Sequence, residues 1–316
     1  TYLKETIPLV SIMGPTGIGK TNLAFALCEK IDSEIISVDS VQIYKQLDIG
    51  SGKPSQDLLE RFPHKLINKL EPTESYSTAS FNQDALDEIL LATEKKKLPL
   101  LVGGTMLYFH SLLGGLSDMP KTDPAIRERL KEESEKRGLE YMHGELRKVD
   151  PESGNRIHPN DSQRILRALE VFMSSKKTLS DWHKDSKKER NSRLSNYKIK
   201  QFGLEPENKE LHREKIANRF HEMIENGFVN EVEGILNIEG VDQESSSMKS
   251  VGYRQICQYL DGKISYDEMI FKGITATRQL AKRQMTWLKS WDDIIWLKEN
   301  SKNMVSDILN KLSINA

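Results

Sequence analysis

The chain alternates short apolar runs with longer stretches in which apolar residues recur every three or four positions. Residues 7–13 (Ile-Pro-Leu-Val-Ser-Ile-Met) form an apolar run that stops at glycine, the pattern of a strand covered on both faces. Residues 20–31 follow with Leu23, Ala24 and Leu27 at helical spacing. A second apolar run at 34–38, an amphipathic helix at 81–92 and a third run at 98–102 continue the alternation. Strands that alternate with helices predict an α/β fold built on a parallel, doubly wound sheet.

From 119 to 198 the pattern changes. The segment is highly charged, reads as helix over 124–137 and 161–174, and offers no convincing strand. It is expected to form an all-α insertion. The apolar run 199–204 returns the chain to the sheet, followed by helices at 210–225, 228–238, 266–272 and 275–289 and a late strand at 294–297. The expected organisation is a core of residues 1–118 and 199–316, with a helical insertion at 119–198. No internal repeat or low-complexity tract interrupts it.

Composition adds a charge argument. Among 316 residues, 46 Lys and Arg nearly cancel 47 Asp and Glu, so net charge alone does not suggest a polyanionic partner. The distribution does, because seven basic residues fall between His183 and Lys200 and five between Lys272 and Lys289. Residues 221–244 are acidic, and segregation of this kind lets a near-neutral protein present basic surface. Cys28 and Cys257 lie far apart and form neither a disulfide framework nor a zinc motif. No apolar stretch reaches membrane-spanning length and no signal-peptide pattern opens the chain, so a soluble, cytoplasmic monomer without a membrane partner is expected.

The sharpest local signal is Gly14-Pro15-Thr16-Gly17-Ile18-Gly19-Lys20-Thr21, the spacing of a P-loop between a strand and a helix. Its backbone N–H groups and the helix dipole cradle phosphate, Lys20 supplies charge, and the Thr21 hydroxyl can ligate Mg²⁺. Ligands of open parallel sheets sit beyond the carboxyl ends of the strands. That rule brings forward Asp39, after the second strand, and Thr105, after Gly103-Gly104. Asp39 is read as general base, Mg²⁺ partner or helix cap, and Thr105 as ligand contact or turn residue. The third strand lacks the acidic residue with which nucleotide hydrolases hold Mg²⁺, which favours transfer over hydrolysis. Two basic clusters, Gln163-Arg164-Ile165-Leu166-Arg167 and Arg278 to Gln284, mix Arg with Gln as phosphate and base-edge recognition requires. Trp287 and Trp291 are expected in the core rather than stacked on bases, and His158 is expected to be structural.

Together these motifs resemble the bacterial tRNA dimethylallyltransferases. The resemblance rests on the P-loop, Ser37-Val38-Asp39-Ser40 with Ile43-Tyr44, Asp48-Ile49-Gly50 with Lys53-Pro54, and Gly103-Gly104-Thr105. It continues through Arg156-Ile157-His158-Pro159, Gln163-Arg164, Val251-Gly252-Tyr253-Arg254-Gln255 and the 277–284 segment, and spans about 8–297. It implies that the P-loop and Arg219 hold dimethylallyl diphosphate, that Asp39 is the general base, and that Thr105 lies near the bridging oxygen. It also implies tRNA contacts at Asp39, Ser40, Val41, Gln42, Thr105, Arg127, Gln163, Arg164, Arg167, Lys249, Gly252, Tyr253, Arg254, Arg278, Lys282 and Arg283. Gly17-Ile18 replaces the family's usual Ala-Ser, which removes a hydroxyl but keeps the backbone cradle.

The implied reaction carries a dimethylallyl group to N6 of the adenine 3′ to the anticodon, after that base is flipped from the anticodon loop. The nearest alternative is an adenylate isopentenyltransferase acting on free AMP, ADP or ATP, against which the basic insertion argues. A P-loop small-metabolite kinase and a non-catalytic RNA-binding protein are the rivals from other classes.

Overall fold

The computed structural model describes residues 7–114, 120, 123–186 and 192–313. Its elements run β1 (Ile7–Met13), α1 (Lys20–Cys28), β2 (Ser33–Val38), α2 (Gln56–Arg61), β3 (His64–Lys65), α3 (Thr78–Glu94), β4 (Leu98–Gly103) and α4 (Met106–Gly114). Five helices follow: α5 (Pro124–Arg137), α6 (Leu139–Val149), α7 (Pro151–Arg156), α8 (Ser162–Ser175) and α9 (Leu179–Ser186). The chain ends with β5 (Tyr197–Glu205), α10 (Lys209–Glu225), α11 (Phe228–Leu236), α12 (Tyr253–Leu260), α13 (Tyr266–Lys289), β6 (Ile294–Lys298) and α14 (Met304–Lys311).

The six strands form one all-parallel sheet in the order β3-β2-β4-β1-β5-β6. From β1 the chain crosses to β2 and the edge strand β3, returns to β4 beside β1, and then passes to β5 and β6 on the other side. This makes the carboxyl end of β1 a topological switch point, where crevices open in doubly wound sheets. Strands β1 and β4 are almost wholly buried, which is why both read as continuous apolar runs. Leu23, Ala24 and Leu27 of α1 pack on β1 and β4 through Val10, Ile12 and Leu100. The two-residue β3 was not expected, since two positions carry no periodicity.

Contacts divide the chain into two compact units, one made of residues up to Phe109 and from Asn196 onward, the other of His110–Ser195. The second unit is helical over its described residues, apart from turns. Its core gathers Leu130, Met142, Leu146, Ile157, Ile165, Ala168 and Leu169. Asp150 ties α7 to α9, accepting from the Ser153 and Ser180 backbone N–H groups and from the Ser180 hydroxyl at 2.7 Å. His143 is buried on the Ile157 carbonyl, and the Nδ1 of His158 accepts from the Asn160 N–H, the structural role expected of that turn.

One expectation fails in the first unit. The segments 266–272 and 275–289 are a single 24-residue helix, α13. Gly273, between the two expected segments, is there for close packing: a Cβ on it would stand 2.1 Å from Phe220 Cζ on α10. A capping box at Ser265 and Glu268 starts the helix and lets it run through the glycine.

Candidate active site

Three strand ends meet in one row. Met13 of β1 and Val38 of β2 both pair in register with Gly103 of β4, so the segments that follow leave the sheet side by side. After β1 comes the phosphate-type loop, with Gly17 and Gly19 at φ of +77° and +93°, values open to glycine at little cost. These conformations turn the loop into the amino end of α1, whose first N–H groups have no helical partner.

Lys20 folds back into the loop, donating to the carbonyls of Gly14 at 2.9 Å and Pro15 at 2.8 Å. Burial pulls its ammonium down to about 7; the Asp39 carboxylate opposes this and the Arg219 cation adds to it. Arg219 of α10 is likewise pulled below its ordinary value by burial, with Asp39 and Glu222 opposing. Its guanidinium lies against the 48–53 turn, where a Cβ on Gly52 would stand 1.9 Å from Nη2. Two cations and a carboxylate thus share one electrostatic neighbourhood at the strand ends.

Asp39 is half-buried, and its Oδ1 accepts from the N–H groups of Val41 at 2.8 Å and Gln42 at 3.0 Å. The turn residue and the acidic group are therefore one and the same: Oδ1 holds the backbone and Oδ2 keeps its lone pairs. Thr105 reaches across from β4, its Oγ1 accepting from the Ser40 N–H at 3.1 Å. Asp39 and Thr105 are accordingly neighbours. The Thr21 hydroxyl, in the first turn of α1, makes no hydrogen bond among the described residues.

Two supporting residues escaped the sequence reading. Gln284 of α13 accepts the Thr16 N–H at 2.9 Å and donates to the Gly104 carbonyl at 2.8 Å, fastening the phosphate-type loop to the Thr105 turn. Its only sequence signal was membership of the 277–284 motif, where it counted with the RNA contacts. Glu231 of α11 accepts from three successive backbone N–H groups, Asp48, Ile49 and Gly50, and from the Tyr253 hydroxyl at 2.6 Å. That clasp fixes the turn on which Arg219 rests. It could not be read from sequence, because 183 residues separate Glu231 from Asp48.

The profile of the IPP transferase family matches residues 42–291. A full-length tRNA isopentenylpyrophosphate transferase from Bacillus halodurans is 30% identical, with a TM-score of 0.69 over 97% of this chain and 95% of that one. A tRNA delta(2)-isopentenylpyrophosphate transferase from Staphylococcus epidermidis is 31% identical, with a TM-score of 0.69 over 97% and 99%. The chain belongs to the IPP transferase family. It is thus an enzyme, a prenyltransferase with the α/β sheet expected of it. A eukaryotic dimethylallyltransferase acting on tRNA shares the fold at 24% identity, with a TM-score of 0.76 over 98% of this chain and 78% of that one.

The family's expected RNA contacts fall into two groups. Arg127, Gln163 and Arg164 are exposed on α5 and α8, and Ser40, Arg254, Lys282 and Arg283 are exposed in the sheet unit. The other group is already engaged inside the protein. Tyr253 is 0% exposed and bonded to Glu231, so its side chain is a brace and not a surface contact. Gly252 is buried against Phe228, Gln42 donates to the carbonyls of Ser51 and Gly52, and Arg278 donates to the Arg213 carbonyl. Arg167 bonds the Pro120 carbonyl and Glu170, whereas Lys249 stays exposed and pairs at the surface with Glu244 at 3.0 Å. Val41 is half-buried beside Asp39. Trp287 departs from the core expectation, being 39% exposed, because the apolar stripe of α13 turns Ala281 and Leu288 inward instead. Lys187, Lys188 and Arg190 of the basic run lie outside the described residues.

Proposed function

We propose that this family member transfers a dimethylallyl group from dimethylallyl diphosphate to the exocyclic N6 of the adenine 3′ to the anticodon in tRNA. The observation that carries the reading is the meeting of Asp39 and Thr105, through Ser40, at the strand ends that also bear Lys20. An anion cradle and a proton acceptor at one switch point suit a reaction that expels diphosphate while removing a proton.

The N6 lone pair attacks the allylic C1 as the C1–O bond breaks, and diphosphate departs with the bonding pair. Asp39 orients N6–H and takes the proton that the new C–N bond acidifies. Lys20, Arg219 and the loop N–H groups receive the charge that builds on the leaving oxygens, and the Thr105 hydroxyl contacts the bridging oxygen. Among the described residues no group of three or more His, Cys, Asp or Glu is arranged to hold a metal. Mg²⁺ therefore suits this site as a partner of the diphosphate, with the free Thr21 hydroxyl as its protein ligand. When bound it would neutralise phosphate charge.

The helical unit supplies RNA contacts at Arg127, Gln163 and Arg164, and the sheet unit supplies them at Ser40, Arg254, Lys282 and Arg283. The protein would act as a monomer in the cytoplasm; among the described residues no helix is long and apolar enough to cross a membrane. The test is transfer of label from dimethylallyl diphosphate, with Mg²⁺, to unmodified tRNA or to AMP. Label is expected in tRNA at the adenine beside the anticodon. Label in AMP alone would transfer the reading to an adenylate isopentenyltransferase.

A further inference from the structure

The sheet unit holds a cavity of about 630 Å³, bounded by the end of β5, the first turns of α10 and one face of α13. Ligand pockets commonly measure about 300–1,000 Å³. Its wall is apolar at Pro206, Ile216, Ala281 and Met285, and its rim carries Lys209, Arg213, Lys282 and Lys289. Of the two acids at the rim, Glu205 pairs outside it with Lys298 at 3.0 Å, and Glu210 faces the rim's own Arg213 at 3.9 Å, against four basic side chains. Lys209, Lys282 and Lys289 have no partner among the described residues. The field at the mouth is therefore positive.

His212 lies at the floor. It is 5% exposed; its ring faces the Thr16 backbone of the phosphate-type loop, and neither nitrogen has a partner in good hydrogen-bond geometry. Buried polar atoms are nearly always well satisfied, so an imidazole that lines a cavity without a well-aligned partner can take a further bond from a ligand there. Burial favours the neutral ring, which offers one donor and one acceptor. Its Cε1 and the Cγ1 of Ile216 lie 3.8 and 3.7 Å from where a Cβ on Gly17 would stand, so the floor is also the back of the phosphate-type loop.

We propose that this cavity is a second ligand site that takes one nucleotide unit, its base on the Ile216–Met285 wall and its phosphate at the Arg213–Lys282 rim. His212 would bond the base edge or a ribose hydroxyl. The unit comes either from a free mononucleotide or from a residue of the RNA other than the acceptor adenine. The RNA source rests on the prenyl-transfer reading; the free-mononucleotide source does not.

Equilibrium dialysis of the full chain separates the two sources, using labelled AMP in one arm and an anticodon stem–loop in the other. The variants are Met285→Trp, which fills the cavity, Arg213→Glu, which reverses the rim, and Lys20→Ala, which breaks the cradle. A free nucleotide ligand predicts AMP binding that survives Lys20→Ala and weakens at least tenfold in both cavity variants. A nucleotide within RNA predicts no AMP binding, with stem–loop affinity at least tenfold weaker in both. Pyrophosphate binding and the melting temperature check that each variant is folded, and Arg213→Glu, on an exposed side chain, decides if Met285→Trp is not. AMP binding lost only in Lys20→Ala, or cavity variants that change neither ligand, would overturn the proposal.

Discussion

Lys20 donates to two carbonyls of its own loop while burial draws its ammonium down to about 7, so its charge is sensitive to whatever anion enters the cradle. A diphosphate raises that value again. The proton is already present below pH 7 and must be taken up above it, so affinity for the diphosphate should fall as pH rises past about 7. Calorimetry at pH 8 in two buffers of different ionisation enthalpy should record uptake of about one proton; no uptake would mean Lys20 is charged throughout. Asp39 makes a second test. Asp39→Ala should lower single-turnover transfer by about 10²–10⁴, the usual share of a general base, while leaving tRNA affinity nearly intact. Near-normal turnover would remove it from the proton transfer. Gln284 makes the third. Gln284→Leu breaks both bonds to the cradle, each of the class worth about 1 kcal/mol, and should raise KM for the diphosphate by up to about thirtyfold. The Kd for tRNA should not move, an outcome that separates a cradle strut from an RNA contact.

Helices α10 and α13 carry between them Arg219, Gln284 and the basic surface, and they meet at Gly273. Gly273→Ala adds a methyl 2.1 Å from Phe220, which no rotamer shift of the alanine can relieve. Overpacking of this kind costs about 1–3 kcal/mol and outweighs the roughly 1 kcal/mol that alanine adds as a helix former. Urea unfolding should show a lowered midpoint; an unchanged or higher one would mean the two helices separate freely. The same contact explains why two helices were expected here. Glycine weakens a local helix pattern, and the reason it is tolerated lies on another element. Strands β1, β2 and β4 were legible because burial on both faces makes their apolar character continuous. Two-residue β3 was not, and neither was the Glu231 clasp, whose partners are three backbone N–H groups that carry no side-chain signature.

At the scale of the molecule, each unit has its own core, so damage to one should register there first. Leu146→Ala in the helical unit removes a fully buried side chain and should cost about 2–5 kcal/mol. Native-state hydrogen exchange should then show faster exchange of the α6 and α8 amides, with β1 and β4 protected as before. Equal loss in both sets would mean a single cooperative unit.

The sequence by itself determined the strand–helix alternation, the phosphate-type loop and the polar residues that follow each strand end, because these depend on local spacing and burial. Family membership was legible for the same reason, since its motifs are short and keep their order. Only the tertiary structure decided which of the motif residues face outward. Tyr253 and Gln284 stand in segments that read as RNA contacts, yet one braces the Asp48–Gly50 turn and the other the cradle. Their partners lie far away along the chain, and hydrogen bonds of that kind exist only once the sheet has brought the strand ends together.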